Sequence, residues 1–216
     1  MKIAILKSFT YNRQGGNPAG VVILDENIRE EKMQKMASDI GLSETAFVKK
    51  EGENIYDVRF FTPECEVDLC GHATIATFYF LAKSGYIKHK LNNKTVYQKT
   101  KAGKLKIEIN YKNGQIKNIL MQQSEPKEYG IVTGNNKKKI ADSLNISIND
   151  LGLNKCLIEP TIVSTGLKDI LIPIKSRSLL NNIVAKLDLI SEVSKETNVV
   201  GYHLFTIENK QIYTRN

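Results

Sequence analysis

The stretch that most constrains the fold is EVDLCGHATIATFYFLAKSG, at residues 66–85. A Cys-Gly-His cluster stands directly before the ten residues 73–82, none of which is charged. Lys83 and Gly85 suit the end of a helix, because a cation complements the helix dipole there and glycine terminates helices. A helix that is apolar on every side is enclosed by other elements. The stretch therefore predicts a helix at 71–84 with a sheet curled around it.

Composition excludes several classes of protein. The 216 residues are 41% hydrophobic and 25% charged, which is typical of a globular protein with a substantial core. Lys and Arg number 31 against 23 Asp and Glu, so the net charge is +8. Because the lysines are scattered, with one tight run at 137–139, we interpret them as a solvated surface and expect no nucleic acid partner.

The cysteines and the apolar runs bear on the location of the protein. Three cysteines, an odd number, argue against a secreted disulfide scaffold. The short apolar run near the N-terminus is too short for a signal peptide. The run at 73–82 is too short to span a bilayer, which needs about 20 residues. We therefore expect a cytoplasmic protein with no membrane partner.

Local patterns predict strands and helices along the whole chain. In the first half, helical spacing of apolar residues at 33–40 predicts an amphipathic helix, with Asn27 and Glu30 as a capping box and Gly41 at its end. Strands are predicted at 2–9, 21–24, 43–48, 56–61 and, around the hairpin signal Asn113-Gly114, 104–121. In the second half, helices are predicted at 137–144, 148–153, 178–186 and 188–197, and strands at 169–174 and 202–208.

Glu44 is the first candidate for chemistry. It lies at the junction of a loop and an apolar strand, where loss of solvent would raise the pKa of a carboxyl group. A raised pKa is what a carboxylate needs to exchange protons with a carbon acid near neutral pH. The alternative is structural: Glu44 would cap the strand or pair with a lysine.

The residues at the start of the predicted helix form the second candidate site. Unpaired N–H groups and the helix dipole favour an anion there, and Gly71 allows close approach, so the site suits a substrate carboxylate. His72 would take part, or would be a core histidine. Cys70 would be a thiolate activated by the helix end, or a buried inert thiol.

Metal and nucleotide sites are not predicted. Cys65, Cys70 and His72 match no closed zinc pattern, and no second Cys/His pair follows them. The glycine-rich GGNPAG at 15–20 is neither a phosphate-binding loop nor a dinucleotide fingerprint.

Four motifs together resemble one family. GNPAGVV at 16–22, LSETAFV at 42–48, VRFFTPECEVDLCGHATIAT at 58–77 and STGLKDILIPI at 164–174 are similar to motifs of the PhzF-like phenazine-biosynthesis isomerases. The block TPECEVDLCGHAT downstream of SETAF is the most specific of them. The resemblance covers essentially the whole chain.

The resemblance implies a fold and an activity. The fold would be α+β, of the diaminopimelate-epimerase type, with two lobes at 1–115 and 116–216, each a sheet curled around a central helix, and an active site between them. The activity would be isomerisation of a small carboxylated metabolite by a homodimer, without metal or organic cofactor. Glu44 would be the acid/base and His72 its catalytic partner. Asn17, Cys70, Gly71, Ala73 and Thr74 would bind the substrate.

The sequence departs from the family pattern in its second half. Residues 115–216 lack the family's D-P-x-[TS]-G-[ST]-A motif and a second uncharged helix. This predicts an incomplete second lobe, with a C-terminal fragment missing. Two alternatives stay open: an inactive relative that binds small carboxylates or a protein partner, and a non-enzymatic structural or nucleic-acid-associated protein.

Overall fold

The computed structural model describes residues 2–12, 14–88, 91–154, 156 and 158–215. The chain divides into two compact units, 1–123 and 124–216. The sequence analysis placed this division after residue 115. The strand Gln115–Met121 pairs with the strand before it and so belongs to the first sheet.

Eight of the described strands form the sheet of the first unit. They are β1 (Lys2–Ser8), β2 (Asn17–Leu24), β3 (Glu44–Gly52), β4 (Ile55–Phe61), β5 (Glu66–Val67), β6 (Asn93–Thr100), β7 (Gly103–Lys112) and β8 (Gln115–Met121). The order in the sheet is β1-β2-β3-β4-β6-β7-β8, with β5 paired to β4. The β2–β3 and β4–β6 pairs are parallel and the other pairs are antiparallel.

The predicted enclosed helix is present and spans Gly71–Lys83; it is the second helix of the chain, α2. It packs against β1, β2 and β3 at one end of the sheet order and against β8 at the other. A sheet whose two ends contact one helix must curl around it. Most of the helix is buried, and Tyr79, 39% exposed, is its one large exposed apolar side chain among the described residues. The prediction of a sheet curled around this helix is confirmed.

The first helix, α1 (Glu30–Ile40), covers the outer face of the same sheet. Met33 and Ala37 are buried against Val22, Phe47 and Phe61. Gly41 follows the helix in the left-handed conformation, at φ 68°, as the sequence predicts. The helical spacing of apolar residues in this segment reflects this contact with the sheet.

The predicted capping box of α1 is wrong. The N-cap residue is Arg29, and no side chain caps the helix. Asn27 instead accepts a hydrogen bond from Lys49 at 2.6 Å, and Glu30 pairs with Arg59 at 2.5 Å. Both side chains found partners on the neighbouring strands, and such contacts cannot be read from local sequence.

The second unit has its own sheet, in the order β13-β12-β11-β10-β9, with β11 and β12 parallel. Three helices contribute side chains to its core, which includes Ile140, Leu180 and Val193. The predicted helix at 148–153 is a single 3-10 turn at Ile148–Asp150. The α+β class is confirmed. The strands are β9 (Lys127–Ile131), β10 (Thr161–Ser164), β11 (Lys168–Pro173), β12 (Gly201–Glu208) and β13 (Gln211–Arg215); the helices are α3 (Gly134–Ser143), α4 (Arg177–Asn182) and α5 (Leu187–Thr197).

The basic run at 137–139 is largely paired with acids. Lys137 contacts Glu159 at 2.5 Å, and Lys139 contacts Glu192 and Glu196 at 3.0 and 2.6 Å. These ion pairs neutralise much of the run. None of the described helices is long and apolar enough to cross a membrane.

Glu66 binds two charged side chains of the first unit, Arg59 and Lys101. Its side chain is 5% exposed, accepts hydrogen bonds from Arg59 Nε and Nη2 at 2.7 and 2.6 Å, and contacts Lys101 at 2.5 Å. Burial by itself would raise the pKa of Glu66, but the hydrogen bonds from Arg59 and Lys101 outweigh it and lower the pKa below its ordinary range.

This pairing predicts a pH-dependent stability. A carboxylate with a lowered folded-state pKa stabilises the fold above its unfolded pKa of about 4.3, and that stability is lost as pH falls through the folded pKa. We expect Glu66→Gln to lower the free energy of unfolding by about 1.5–3 kcal/mol at pH 7, the value for a hydrogen bond to a charged group. Below the folded-state pKa of Glu66 the substitution should change this free energy very little. Urea unfolding at pH 7 and across the acid range measures this difference. Exposed Glu64→Gln is the control; an equal cost of Glu66→Gln at every pH would contradict the assignment.

Candidate active site

Several strand ends and one helix end meet in the first unit. The parallel strands β2 and β3 begin side by side, with Asn17 and Glu44 at their first positions. The last residue of β1, Ser8, is paired with Asn17. Contacts from His72 to these three residues bring the N-terminus of α2 to the same place. Residues that are far apart in the sequence are thereby collected at one end of the sheet.

His72 lies at the centre of this cluster. Its Nδ1 is 3.1 Å from the amide nitrogen of Asn17, and its Nε2 is 3.2 Å from Glu44 Oε2. Because an amide nitrogen donates, Nδ1 accepts and the imidazole proton of a neutral ring lies on Nε2, facing the carboxylate. The side chains of His72 and Glu44 are 11% and 22% exposed, so both are largely but not fully buried.

The Glu44–His72 contact is close but is not an aligned hydrogen bond. Glu44 Oε2 and His72 Nε2 are both shielded from solvent, and neither has a hydrogen-bond partner among the described residues. No lysine or arginine in the described part of the chain forms an ion pair with Glu44, so the predicted alternative of a lysine partner is not found. A carboxylate oxygen and a ring nitrogen thus face each other with unused hydrogen-bonding capacity. Apo sites commonly hold such loose contacts, which tighten when substrate binds.

Cys70 is buried beside the histidine, with Sγ 3.3 Å from His72 Nδ1. Burial, and then the negative charge of Glu44, raise the pKa of this thiol to about 12, while the N–H groups of Ala73 and His72 partly offset the rise. The thiol is therefore protonated at neutral pH. Of the two sequence alternatives, the structure favours the unreactive thiol over the activated thiolate, because desolvation outweighs the helix end.

Alkylation should distinguish Cys70 from the other two cysteines. Cys65 and Cys156 are exposed, whereas Cys70 is buried with a raised pKa. Since the thiolate is the reacting species, we expect Cys70 to react at least about 100-fold more slowly than Cys65 at pH 8. Mass spectrometry of peptides after timed treatment with iodoacetamide gives the three rates. Equal rates at Cys65 and Cys70 would show that Cys70 is not shielded.

The backbone of α2 provides donors for an anion. The first helical hydrogen bond runs from the Thr74 N–H to the Cys70 carbonyl, at 3.0 Å. The N–H groups of Gly71, His72 and Ala73 precede it and have no acceptor within the helix. Thr74 is fully buried, and its hydroxyl donates to Gln98 at 3.2 Å. Of the predicted binding residues, Thr74 thus has its N–H group and its hydroxyl bonded within the first unit.

Ser8 is a residue that the sequence analysis did not single out. It is 5% exposed, and its hydroxyl donates to the carbonyl oxygen of His72 at 2.7 Å. It thereby fixes the start of α2 to the end of β1. The only sequence signal was a small polar residue at the end of a strand, which is common at any strand end.

The glycine-rich loop has a structural role at this site. Gly16 has φ 78°, and a Cβ atom there would lie 2.6 Å from the carbonyl oxygen of Ser8. Only glycine fits both the conformation and the space. The loop thus lets β2 begin beside the end of β1 and places Asn17 next to His72.

The family model for phenazine biosynthesis-like proteins, PhzC-PhzF, matches residues 6–216. The chain belongs to this family. Among curated proteins, it is 38% identical over 207 residues to an uncharacterized isomerase of Clostridium acetobutylicum, covering 95% of this chain and 66% of that protein. It is 35% identical over 202 residues to the uncharacterized isomerase YfhB of Bacillus subtilis, covering 94% of this chain and 66% of YfhB. The chain thus spans just under two thirds of these PhzC-PhzF relatives.

Solved structures agree with the PhzC-PhzF assignment. The Bacillus anthracis phenazine biosynthesis protein of the PhzF family superposes with a TM-score of 0.81 at 30% identity, covering 100% of this chain and 72% of that one. A probable proline racemase from Agrobacterium radiobacter K84 superposes with a TM-score of 0.61 at 12% identity, covering 92% and 66%. The second likeness shows the fold alone, and it confirms the expected epimerase-like architecture.

Proposed function

We propose that this PhzC-PhzF chain carries the acid/base half of an isomerase for small carboxylates. Glu44 takes a proton from a carbon atom of the substrate and returns it at the same or a neighbouring carbon, so that a stereocentre or a double bond changes place. The observation that carries the proposal is the 3.2 Å approach of Glu44 Oε2 to His72 Nε2, in a shielded position beside the start of an enclosed helix. The isomerase names of the relatives support it.

The surrounding groups have distinct roles in this proposal. The start of α2 binds the substrate carboxylate through the N–H group of Gly71 and the helix dipole, because a helix N-terminus favours an anion. The N–H groups of His72 and Ala73 interact with the Cys70 sulfur. Asn17 and Ser8 hold the ring and the backbone of His72 in place. The Nε2–H of His72 then orients the Glu44 carboxylate and stabilises its charged form.

The substrate is a small molecule with a carboxylate and an acidic C–H bond. Cyclic and amino-acid-derived carboxylates both meet this description. The reaction needs no redox step, since a proton leaves and a proton returns. A homodimeric assembly, expected from the family resemblance, stays a prediction.

Proton exchange with solvent tests the proposed function. The native protein is incubated in D₂O with a panel of small cyclic and amino-acid-derived carboxylates, and deuterium incorporation at carbon is followed by NMR. Exchange of one C–H position in at least one compound, at a rate proportional to protein concentration, is expected. Binding of carboxylates without any exchange would favour the alternative of an inactive carboxylate-binding relative.

A further inference from the structure

Side chains from both ends of the first sheet reach the start of α2. Asn17 and Glu44, from β2 and β3, contact His72. Gln98 and Met121, from β6 and β8, approach the helix from the other end of the sheet order. Because the sheet curls around α2, the two pairs reach the helix from different sides. The proposed proton transfer involves only the first of these pairs.

Gly71 leaves a recess at the first residue of α2. Its φ lies outside the left-handed region, so the backbone conformation does not require glycine. Apart from its own helix and chain neighbours, a Cβ atom there would meet one described atom within 4 Å, the methyl carbon of Met121 at 3.9 Å, an ordinary van der Waals distance. An alanine would therefore fit. Since the Cα–Cβ bonds of a helix tilt toward its N-terminus, the recess lies beside the free N–H group of Gly71 and offers room to a ligand.

A buried amide holds the side chain that closes this recess. Gln98 is 0% exposed, and its Nε2 donates a hydrogen bond to Met121 Sδ at 3.6 Å. Its Oε1 accepts a hydrogen bond from the hydroxyl of Thr74, in α2, at 3.2 Å. A methionine side chain has three rotatable bonds and fills irregular gaps, and its sulfur is a weak acceptor. The amide therefore fixes the position of a side chain that would otherwise sample several rotamers.

We propose that Met121 determines the substrate specificity of this site. With the substrate carboxylate on the N–H group of Gly71, the group on the adjacent carbon enters the recess and ends against the methyl of Met121. This wall is apolar and is held in place by Gln98. The substrate class is therefore carboxylates whose adjacent carbon carries a short, unbranched apolar group. The inference rests on the proposed function for the position of the carboxylate.

Binding of straight-chain monocarboxylates, from acetate to hexanoate, tests this wall. The NMR shift of the Gly71 amide gives the dissociation constant of each acid at this position. In the native protein, affinity should rise about fourfold with each methylene, the contribution of burying one such group, and should stop rising at a short chain length. In Met121→Ala the rise should continue for about two further methylenes, because alanine lacks the γ, δ and ε atoms of the wall.

Three further variants serve as controls. Met121→Leu conserves the volume of the wall and should keep the native length limit. Leu120→Ala removes an apolar side chain from the preceding position of β8, which is 50% exposed, and should leave every affinity unchanged. Gly71→Ala fills the recess with a group that the fold can hold, and should move the limit to shorter acids.

Urea unfolding identifies any variant that fails to fold. An unchanged limit in folded Met121→Ala, or in Gly71→Ala if the first variant does not fold, would overturn the inference, as would absence of carboxylate binding at Gly71. A longer limit in Met121→Ala without proton exchange at carbon in the native protein would support the inference and overturn only the proposed function. Exchange in the native protein with the same limit in Met121→Ala would overturn only the inference.

Discussion

Replacing Glu44 with Gln is expected to lower the rate of proton exchange by about 10² to 10⁴-fold, the contribution of a positioned acid/base group. The amide keeps the size of the side chain and can still contact His72 Nε2, 3.2 Å away in the native protein. It cannot accept and return a proton. The fold should persist, because the Glu44 side chain is 22% exposed and its Oε2 has no hydrogen-bond partner within the described structure. Deuterium incorporation at saturating substrate measures the change.

Two variants separate catalysis from structure in this experiment. Glu64→Gln removes an exposed carboxylate elsewhere in the first unit and should leave exchange unaffected. Glu44→Asp retains the carboxylate on a shorter side chain and should recover part of the rate. Near-native exchange in Glu44→Gln would exclude Glu44 as the acid/base. Loss of both exchange and folded-state circular dichroism would instead assign it a structural role.

Replacing Phe78 with Ala is expected to destabilise the first unit by about 3–5 kcal/mol, the cost of a large cavity in a core. Phe78 is 0% exposed on α2, and its ring meets that of Tyr56 edge to face at 5.7 Å. The curled sheet surrounds this helix, so its neighbours cannot easily move in to fill the space. A domain is stable by only about 5–15 kcal/mol, and the loss is therefore a large share of the total.

Hydrogen exchange measured for individual amides tests whether the loss of stability occurs in the first unit. Amides of α2 and of the β2 and β3 strands should lose protection in Phe78→Ala, while the strands of the second unit keep theirs. Tyr79→Ala is the matched control, because Tyr79 follows Phe78 on the same helix but is 39% exposed. Tyr79→Ala should destabilise the first unit clearly less than Phe78→Ala does. Equal costs for the two variants would mean that α2 is not enclosed as described.

Much of this protein was predictable from the sequence, because the relevant signals are local. The uncharged run at 73–82 predicted an enclosed helix. In the structure this helix, α2, is buried on nearly all sides by the first sheet. Alternating and β-branched segments located most strands to within a few residues. The motif block at 58–77 indicated the family, and the family model matches 6–216. Buried apolar residues recur along the sequence with the period of the helix or strand that carries them, so these elements can be predicted from the sequence.

Other features were decided only by the tertiary structure. The capping box of α1 failed because Asn27 and Glu30 bond to Lys49 and Arg59, more than twenty residues away. The role of Ser8 depends on a hydrogen bond to His72 across 64 residues.

The protonation state of Cys70 was likewise decided by the tertiary structure. A helix N-terminus alone favours a thiolate, yet burial and the nearby carboxylate of Glu44 raise the pKa of the thiol to about 12. Electrostatics and hydrogen bonding depend on distance in space, and sequence separation carries no information about that distance. The sequence by itself determined the enclosed helix, most of the strands and the family of this chain; the fold determined which side chains meet at the site and in which protonation state.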